Sequence, residues 1–502
     1  MRQLLRVSCI LAIAVAATAG ASGARKAPTV RASTGPLNTG IQYYDLGSSA
    51  ANQIEVKRIR AAGAGVIRIP LYWSWVAPSG SEPPAGFQPR DPADPNYDWQ
   101  NFDAQIQMVS AAGLEPMVMI LSAPEWAEGA PGSYPAPPGT YKPSPTALAD
   151  FAAAAATRYS GSFEGLPRVR YWEVWNEPNL FTYLSPQTVN GTPAWYRLML
   201  NAAADALHAV HSDNVVIGGD TAPYYLRGGM GTAPLVFMEK VLCISEKTIR
   251  VANEEYPGEI VYQSACKTKT KFDVWSHHPY TEGGPTIRAK VHGDIELGDM
   301  DDMRAVLNAA IRAGHVVSTQ QIRFWVTEFS WTSNPPDPKG VPAALEARWV
   351  SQALYQMWSD GVSRFVWYAF RDEPSSSSCF HSGLYYANSA GIASDLPKPA
   401  LRAFRFPFVA LTEPKNKVFL WGRTPTSTAG NVLIERKSGG KWKRVKTLTA
   451  NRYGIFTARI SRPAKTTYLR ARLSDNSDQS VAFSLIAPKN PWKGSVWGSG
   501  GC

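Results

Sequence analysis

The strongest constraint on this chain is a regular alternation. Between about residues 37 and 408, eight apolar runs of strand length are separated by stretches with helical periodicity. The strands are expected at Asn38–Gln42, Gly65–Pro70, Glu115–Leu121, Val169–Trp175, Asn214–Gly218, Phe272–His277, Arg323–Thr327 and Arg364–Tyr368. Helices are expected between them, among others at Ser49–Ala62, Thr146–Tyr159, Pro193–Ser212, Asp299–Ala313 and Ala343–Asp360. Strands that alternate with helices form a parallel sheet, and eight such units close it into a (β/α)8 TIM barrel. Chemistry in that fold collects at the carboxyl ends of the strands. Long segments rich in Pro, Gly and aromatics follow the second, third, fourth and eighth strands, at 71–95, 122–143, 178–192 and 369–398. Connections of that length are usually functional, and these are expected to wall a cleft.

At 502 residues the chain exceeds one ordinary domain. With 44% hydrophobic and 18% charged residues, global disorder is not expected. After about Thr412 short alternating runs separated by turn residues replace the strand–helix rhythm, which reads as a small all-β immunoglobulin/fibronectin-like sandwich. This part is basic: residues 415–502 hold 17 Lys/Arg against 3 Asp/Glu, while the whole chain carries only +11. A possible partner for it is an anionic cell-wall or surface polymer; the duller reading is a solvated lysine-rich face. No nucleic-acid partner is expected.

Arg2 and Arg6, the apolar stretch Val7–Ala17 and the small residues up to Ala24 resemble a signal peptide, too short to span a bilayer. No other segment looks transmembrane. The expected organisation is a signal at 1–24, a catalytic barrel at 25–411, a basic sandwich at 412–488 and a tail at 489–502, in a secreted protein for which cell-wall association is a further expectation. Without Cys9 four cysteines remain, which allow three pairings. Proximity favours Cys243 with Cys266, worth about 3 kcal/mol by chain entropy, and Cys379 with Cys502. Their spacing does not suit zinc.

Two stretches carry the chemistry. Trp-Glu-Val-Trp-Asn-Glu-Pro-Asn at 172–179 puts Glu177 just past the fourth strand, and Phe-Trp-Val-Thr-Glu-Phe-Ser-Trp at 324–331 puts Glu328 just past the seventh. Those strands lie on opposite sides of a barrel mouth, so the carboxyls face each other. A pair of carboxyls is the minimum apparatus for cleaving a glycosidic bond, and about 5–5.5 Å between them gives retention through a covalent intermediate.

With its aromatic strand, the first motif resembles the retaining glycoside hydrolases of clan A; it is most similar to family 39, with family 5 next. The resemblance covers about residues 37–410 and leaves out the sandwich. It implies that Glu177 is the acid/base and Glu328 the nucleophile, that Asn176 bonds the neighbouring sugar hydroxyl, and that Arg68 keeps the nucleophile ionised. It also implies that His277, His278 and Tyr280, in Ser-His-His-Pro-Tyr, touch nucleophile and substrate; which histidine points inward stays open. Trp367 resembles the floor of the innermost sugar site, and Trp126 a further sugar platform. Each has a plainer alternative, such as a salt-bridged mouth carboxylate or a core tryptophan. Glu173 is expected to be structural, and Glu125 lies where it could reach the cleft. No metal or organic cofactor is implied, and the expected partner is a poly- or oligosaccharide. The same residues would serve a transglycosylase, and a silent barrel would leave a carbohydrate-binding protein.

Overall fold

The computed structural model describes residues 29–32, 35–43, 50–130, 136–226, 228–249, 259–373, 380–464, 467–475, 478–486 and 492. The expected signal, the Cys379–Cys502 pairing and all of the tail except Trp492 lie outside them.

Eight strands close into a barrel: β1 Asn38–Gln42, β2 Val66–Tyr72, β3 Glu115–Leu121, β4 Tyr171–Val174, β5 Val215–Thr221, β6 Val274–His277, β7 Arg323–Val326 and β8 Val362–Trp367. Each is parallel to the next, and β1 pairs with β8. The helices α1 Ala50–Ala61, α2 Gln100–Ala111, α3 Pro145–Arg158, α4 Gly191–Val210, α5 Pro234–Leu242, α6 Met300–Ala313, α7 Ala343–Ser359 and α8 Pro399–Arg405 each follow one strand. Local chemistry sets their ends. Ser144 caps α3 through its side chain with Pro145 in the first turn, and Gly314, at φ 75°, ends α6 in the left-handed region.

Side-chain alternation divides the core in two. Val66, Met117, Tyr171, Ile217, Val274, Trp325 and Val366 form a cluster inside the barrel, while Trp172, Trp275 and Phe365 belong to the larger core beneath the helices. After α5 comes a hairpin, Ile244–Ile249 with Glu259–Ser264, that the sequence reading did not foresee. The expected Cys243–Cys266 disulfide closes its base, with 5.2 Å between the Cα atoms.

The C-terminal part is a seven-stranded sandwich. One sheet holds β9 Phe408–Glu413, β10 Lys417–Arg423 and β13 Ile455–Ser461; the other holds β11 Gly430–Ser438, β12 Lys441–Ala450, β14 Tyr468–Leu473 and β15 Phe483–Ser484. Its first strand starts at Phe408, ahead of the expected boundary at 412, because Phe408–Glu413 pairs antiparallel with β10. Lys441, Lys443, Arg444 and Lys446 are exposed on β12, an edge strand, where cations discourage edge-to-edge pairing. Buried Arg423 donates to the Leu37 carbonyl at 2.8 Å and to Thr39 Oγ1 at 3.2 Å, which ties the sandwich to the start of β1. Among the described residues no helix is long and apolar enough to cross a membrane.

Glu346 on α7 makes stability depend on pH. It is fully buried, and neither carboxyl oxygen has a hydrogen-bond partner. Burial pushes its pKa up from 4.5 to about 8, with Lys398 opposing and Asp372 adding. The folded chain therefore keeps this proton up to about pH 8, whereas the unfolded chain releases it near 4.5. Its stabilising contribution is full below pH 4.5 and is lost as pH rises through 8. Glu346→Gln should unfold at higher denaturant than the parent at pH 9, by an amount on the order of a few kcal/mol, and the gap should narrow towards pH 5. A gap that stays constant across this range in denaturant titrations would contradict the assignment.

Candidate active site

The site is built where β4 ends. Tyr196 on α4 donates to the Val174 carbonyl at 3.0 Å and accepts from the Gly219 amide at 2.9 Å, fixing the ends of β4 and β5 together. The chain then turns sharply, with Trp175 at φ 74° and Glu177 at φ 38°. Left-handed backbone at non-glycine residues costs about 1–3 kcal/mol each and persists where the surroundings enforce it. Here the Glu177 amide bonds the Asp220 carbonyl at 2.9 Å, and Trp175 Nε1 bonds the Tyr183 carbonyl at 2.7 Å. The turn delivers Asn176 and Glu177 to the mouth in succession.

One oxygen of Glu177, one of Glu328 and one nitrogen of His278 all lie within 4.8 Å of one another. Both glutamate side chains are only slightly exposed, 10% for Glu177 and 13% for Glu328. They are buried enough to have tuned acidity and open enough to be reached.

Their surroundings differ. Glu328 accepts from Arg68 Nη1 at 2.9 Å through one oxygen and from Tyr280 Oη at 2.7 Å through the other. An ionised carboxylate is what such a donor set holds. Glu177 instead shares Oε1 with His278 Nδ1 at 2.9 Å, which leaves Oε2 to carry a transferable proton. Burial raises the Glu177 pKa; His278 opposes this, and the negative charge of Glu328 adds to it. One carboxyl is thus set up to hold a proton and the other to do without.

Arg68 is the hub. It is wholly buried and also binds Gln42 Oε1 at 2.5 Å, Asn176 Oδ1 at 3.0 Å and Glu173, with Asp220 Oδ2 at 3.6 Å. Because arginine only donates, Asn176 must present its oxygen to it, and its NH2 remains a donor for a ligand. Glu173 is wholly buried and bonds Arg68, and burial drives its pKa far up while Arg68 opposes. Asp220 behaves oppositely, because Glu173, His278 and Arg68 overcome its burial and hold it well below the usual range. Asp220 also accepts from Ser276 at 2.6 Å and from Thr327. Burial alone would lower the pKa of His278, yet Glu328, Asp220 and Glu177 push it up to about 10. Cationic Arg68 and His278 thus lie beside Asp220, which they help to hold ionised. Glu177, His278 and Glu328 are close enough to invite a metal ion, but two donors on Glu328 and the adjacent guanidinium suit proton chemistry better than a second cation.

Two expected residues need correction. Alternation along β6 turns Ser276 and His278 inward and His277 outward, where its ring bonds Thr221 Oγ1 and the Ile295 carbonyl, both at 2.8 Å. His277 is a structural pin; burial lowers its pKa to about 3, so it stays neutral. Likewise Val366 faces the barrel interior, so Trp367 faces away. It is fully buried, packs edge-on against Phe329 and Phe365, and donates to the Ser382 carbonyl. It is core rather than floor. Tyr368, the next residue, stands close enough to the site phenols Tyr280 and Tyr183 to act on both electrostatically. Half-buried Trp126 lines an adjoining cavity of about 790 Å³ together with Glu125 and Tyr141.

Sequence reasoning missed Gln42, Asp220 and Trp75. Asp220 carried a readable signal: Val-Val-Ile-Gly-Gly-Asp is also an apolar run that ends in a carboxylate. Trp75, 74% exposed, stacks on Tyr72 at 4.1 Å just past β2 and offers an aromatic face beside the mouth.

No family model matches the sequence, and neither does any curated protein. Among solved structures, a family 39 glycoside hydrolase from the gut symbiont Bacteroides cellulosilyticus WH2 is similar over 85% of this chain and 79% of its own, with a TM-score of 0.50 and 16% identity. This chain has the fold of a family 39 glycoside hydrolase. The family 39 enzyme of Xanthomonas axonopodis pv. citri is similar over 88% of this chain and 96% of its own, with a TM-score of 0.48 and 14% identity. A monomeric β-xylosidase of Caulobacter crescentus CB15 is similar over 86% and 96%, with a TM-score of 0.48 and 15% identity. At these identities the likeness is one of fold, and the chemistry of this chain rests on its own side chains.

Proposed function

We propose that this protein is a retaining glycoside hydrolase acting on a poly- or oligosaccharide. The observation that carries the reading is the approach of Glu177 and Glu328 oxygens within 4.8 Å, close to the roughly 5–5.5 Å of retaining pairs and well short of the roughly 6.5–9.5 Å of inverting pairs. Glu328 attacks the anomeric carbon while Glu177 passes its proton to the departing oxygen, leaving a glycosyl ester on Glu328 and a carboxylate at Glu177. Esterification removes the negative charge opposite Glu177, so its proton is held less tightly in the second half. Glu177 then takes a proton from water, the water oxygen bonds the anomeric carbon, and the ester bond to Glu328 breaks. Two inversions give net retention. The Asn176 amide and the Trp75 face provide hydroxyl and ring contacts for sugar. Export fits the apolar N-terminal stretch and the Cys243–Cys266 disulfide, and the basic sandwich would favour anionic surfaces.

The test is a panel of aryl glycosides and wall polysaccharides, with the first-formed anomer read by NMR. Retained configuration is expected, and inverted configuration would reject the mechanism. Because the acid form of Glu177 is required, kcat/KM should fall as pH rises through its elevated pKa. Glu177→Ala should lose that alkaline limb. It should slow substrates with poor leaving groups by about 10²–10⁴-fold and spare activated ones in the first step.

A further inference from the structure

At the opposite end of the barrel from the carboxylates, a second cluster of charge has no task in the proposed chemistry. A cavity of about 430 Å³ opens beneath the strand starts, lined by Arg31, Tyr171, Arg323, Trp325 and Arg364 and by Tyr453 from the sandwich. Arg364 is inward-facing on β8 and only 5% exposed. Its guanidinium lies between two rings, 4.2 Å from the Tyr171 centroid and 4.3 Å from that of Trp325. It makes a single hydrogen bond, from Nη2 to Tyr171 Oη at 3.3 Å, while its Nε and Nη1 are buried without partners. The nearest carboxylate, Glu115, is 3.9 Å away and more than half exposed. Arg323 sits over the same Trp325 ring at 5.3 Å, bonds only Gln320 at 3.2 Å, and has a buried, unpartnered Nε. Asp273, the other acid in range, is already engaged by His208, Ser318 and the Val216 amide.

Arginine cannot shed its charge, so a buried guanidinium whose one carboxylate partner is 3.9 Å away and mostly in water is costly unless something supplies a closer anion. Stacking on tryptophan and tyrosine offsets part of that cost and fixes the planes of the forks. It leaves the in-plane N–H donors for a ligand. Two such forks suit the tetrahedral oxygens of a phosphate-class anion. We propose that the amino-terminal end of the barrel is a binding site for a small phosphate-class oxyanion, held by Arg364 and Arg323 at the junction with the sandwich. The site stands apart from the carboxylate pair and does not depend on the protein being a hydrolase.

Titration calorimetry of the full chain with inorganic phosphate tests it, and a second arm with a sugar phosphate separates a free ion from an esterified one. One saturable site is expected. Tighter binding of the sugar phosphate would assign the esterified form, and tighter binding of inorganic phosphate the free ion. Arg364→Met should weaken binding at least about tenfold, while Arg364→Lys, which keeps the charge but loses the fork, should fall between. Arg323→Gln, at a less buried position, should also weaken it about tenfold and covers the case in which Arg364→Met does not fold. Absence of saturable binding of either probe up to about 10 mM, or affinity unchanged in folded Arg364→Met or Arg323→Gln, would overturn the proposal.

Discussion

Glu328→Ala should abolish turnover and leave a site that azide can reopen. In the proposed mechanism this substitution deletes the bond-forming partner of the first step, and losses on the order of 10⁵-fold follow when a covalent nucleophile is removed. The alanine leaves a gap between Arg68 and Tyr280, which bind the two Glu328 oxygens at 2.9 and 2.7 Å. Azide is a small anion, and these are the donors an anion would meet. It should attack the anomeric carbon from the vacated side and give a glycosyl azide of inverted configuration, with Glu177 still protonating the leaving oxygen. Product NMR with an activated aryl glycoside reads the outcome. Turnover that survives the substitution would remove Glu328 from the mechanism, whatever the fate of the fold.

Arg68→Met should be the most damaging single change to folded stability at the site. The guanidinium serves Glu328, Glu173, Asn176 and Gln42, lies 3.6 Å from Asp220 and is itself wholly buried. Methionine fills similar volume, so the packing loss is small and the effect is electrostatic. Breaking one side of a buried ion pair costs about 3–5 kcal/mol, because the partner charge is left uncompensated. Here both Glu328 and Asp220 are affected. Activity should fall as well, by about 10²–10³-fold in any protein that folds, since a fixed donor to the reacting carboxylate is lost. Arg68→Lys should recover part of the stability through charge but little of the geometry, because one ammonium cannot reach four acceptors at once. Denaturant melts with parallel kcat/KM measurements check both effects. Parent-like stability in Arg68→Met would show that the cluster does not depend on its cation.

Much of the barrel could be read in advance, and the reason is physical. Strand β3 occupies the expected Glu115–Leu121, because its run from Pro116 to Leu121 is buried and apolar at every position. Helices α2, α5 and α8 and the disulfide-closed hairpin went unnamed. Helices α5 and α8 are short and open on proline, whereas α2 does carry a helical period, with Phe102, Ile106 and Val109 on its buried face. Asp220 escaped because the expected fifth strand stopped at Gly218, whereas pairing with β6 carries it to Thr221.

Legible along the chain were the alternating architecture, the Cys243–Cys266 neighbourhood and the two glutamates at strand ends. These follow from periodicity and residue type along the chain. The folded arrangement was needed to show which of two adjacent histidines faces the mouth, that Trp367 belongs to the core, and that one buried arginine on β2 gathers polar groups from β1, β5 and the ends of β4 and β7. Side-chain direction at a strand end depends on register and on the turn that follows, as at Glu177 with its φ of 38°. The protonation of a carboxyl depends on neighbours brought from far along the chain. Hydrophobic pattern is a local property, and charge balance in a closed mouth is not.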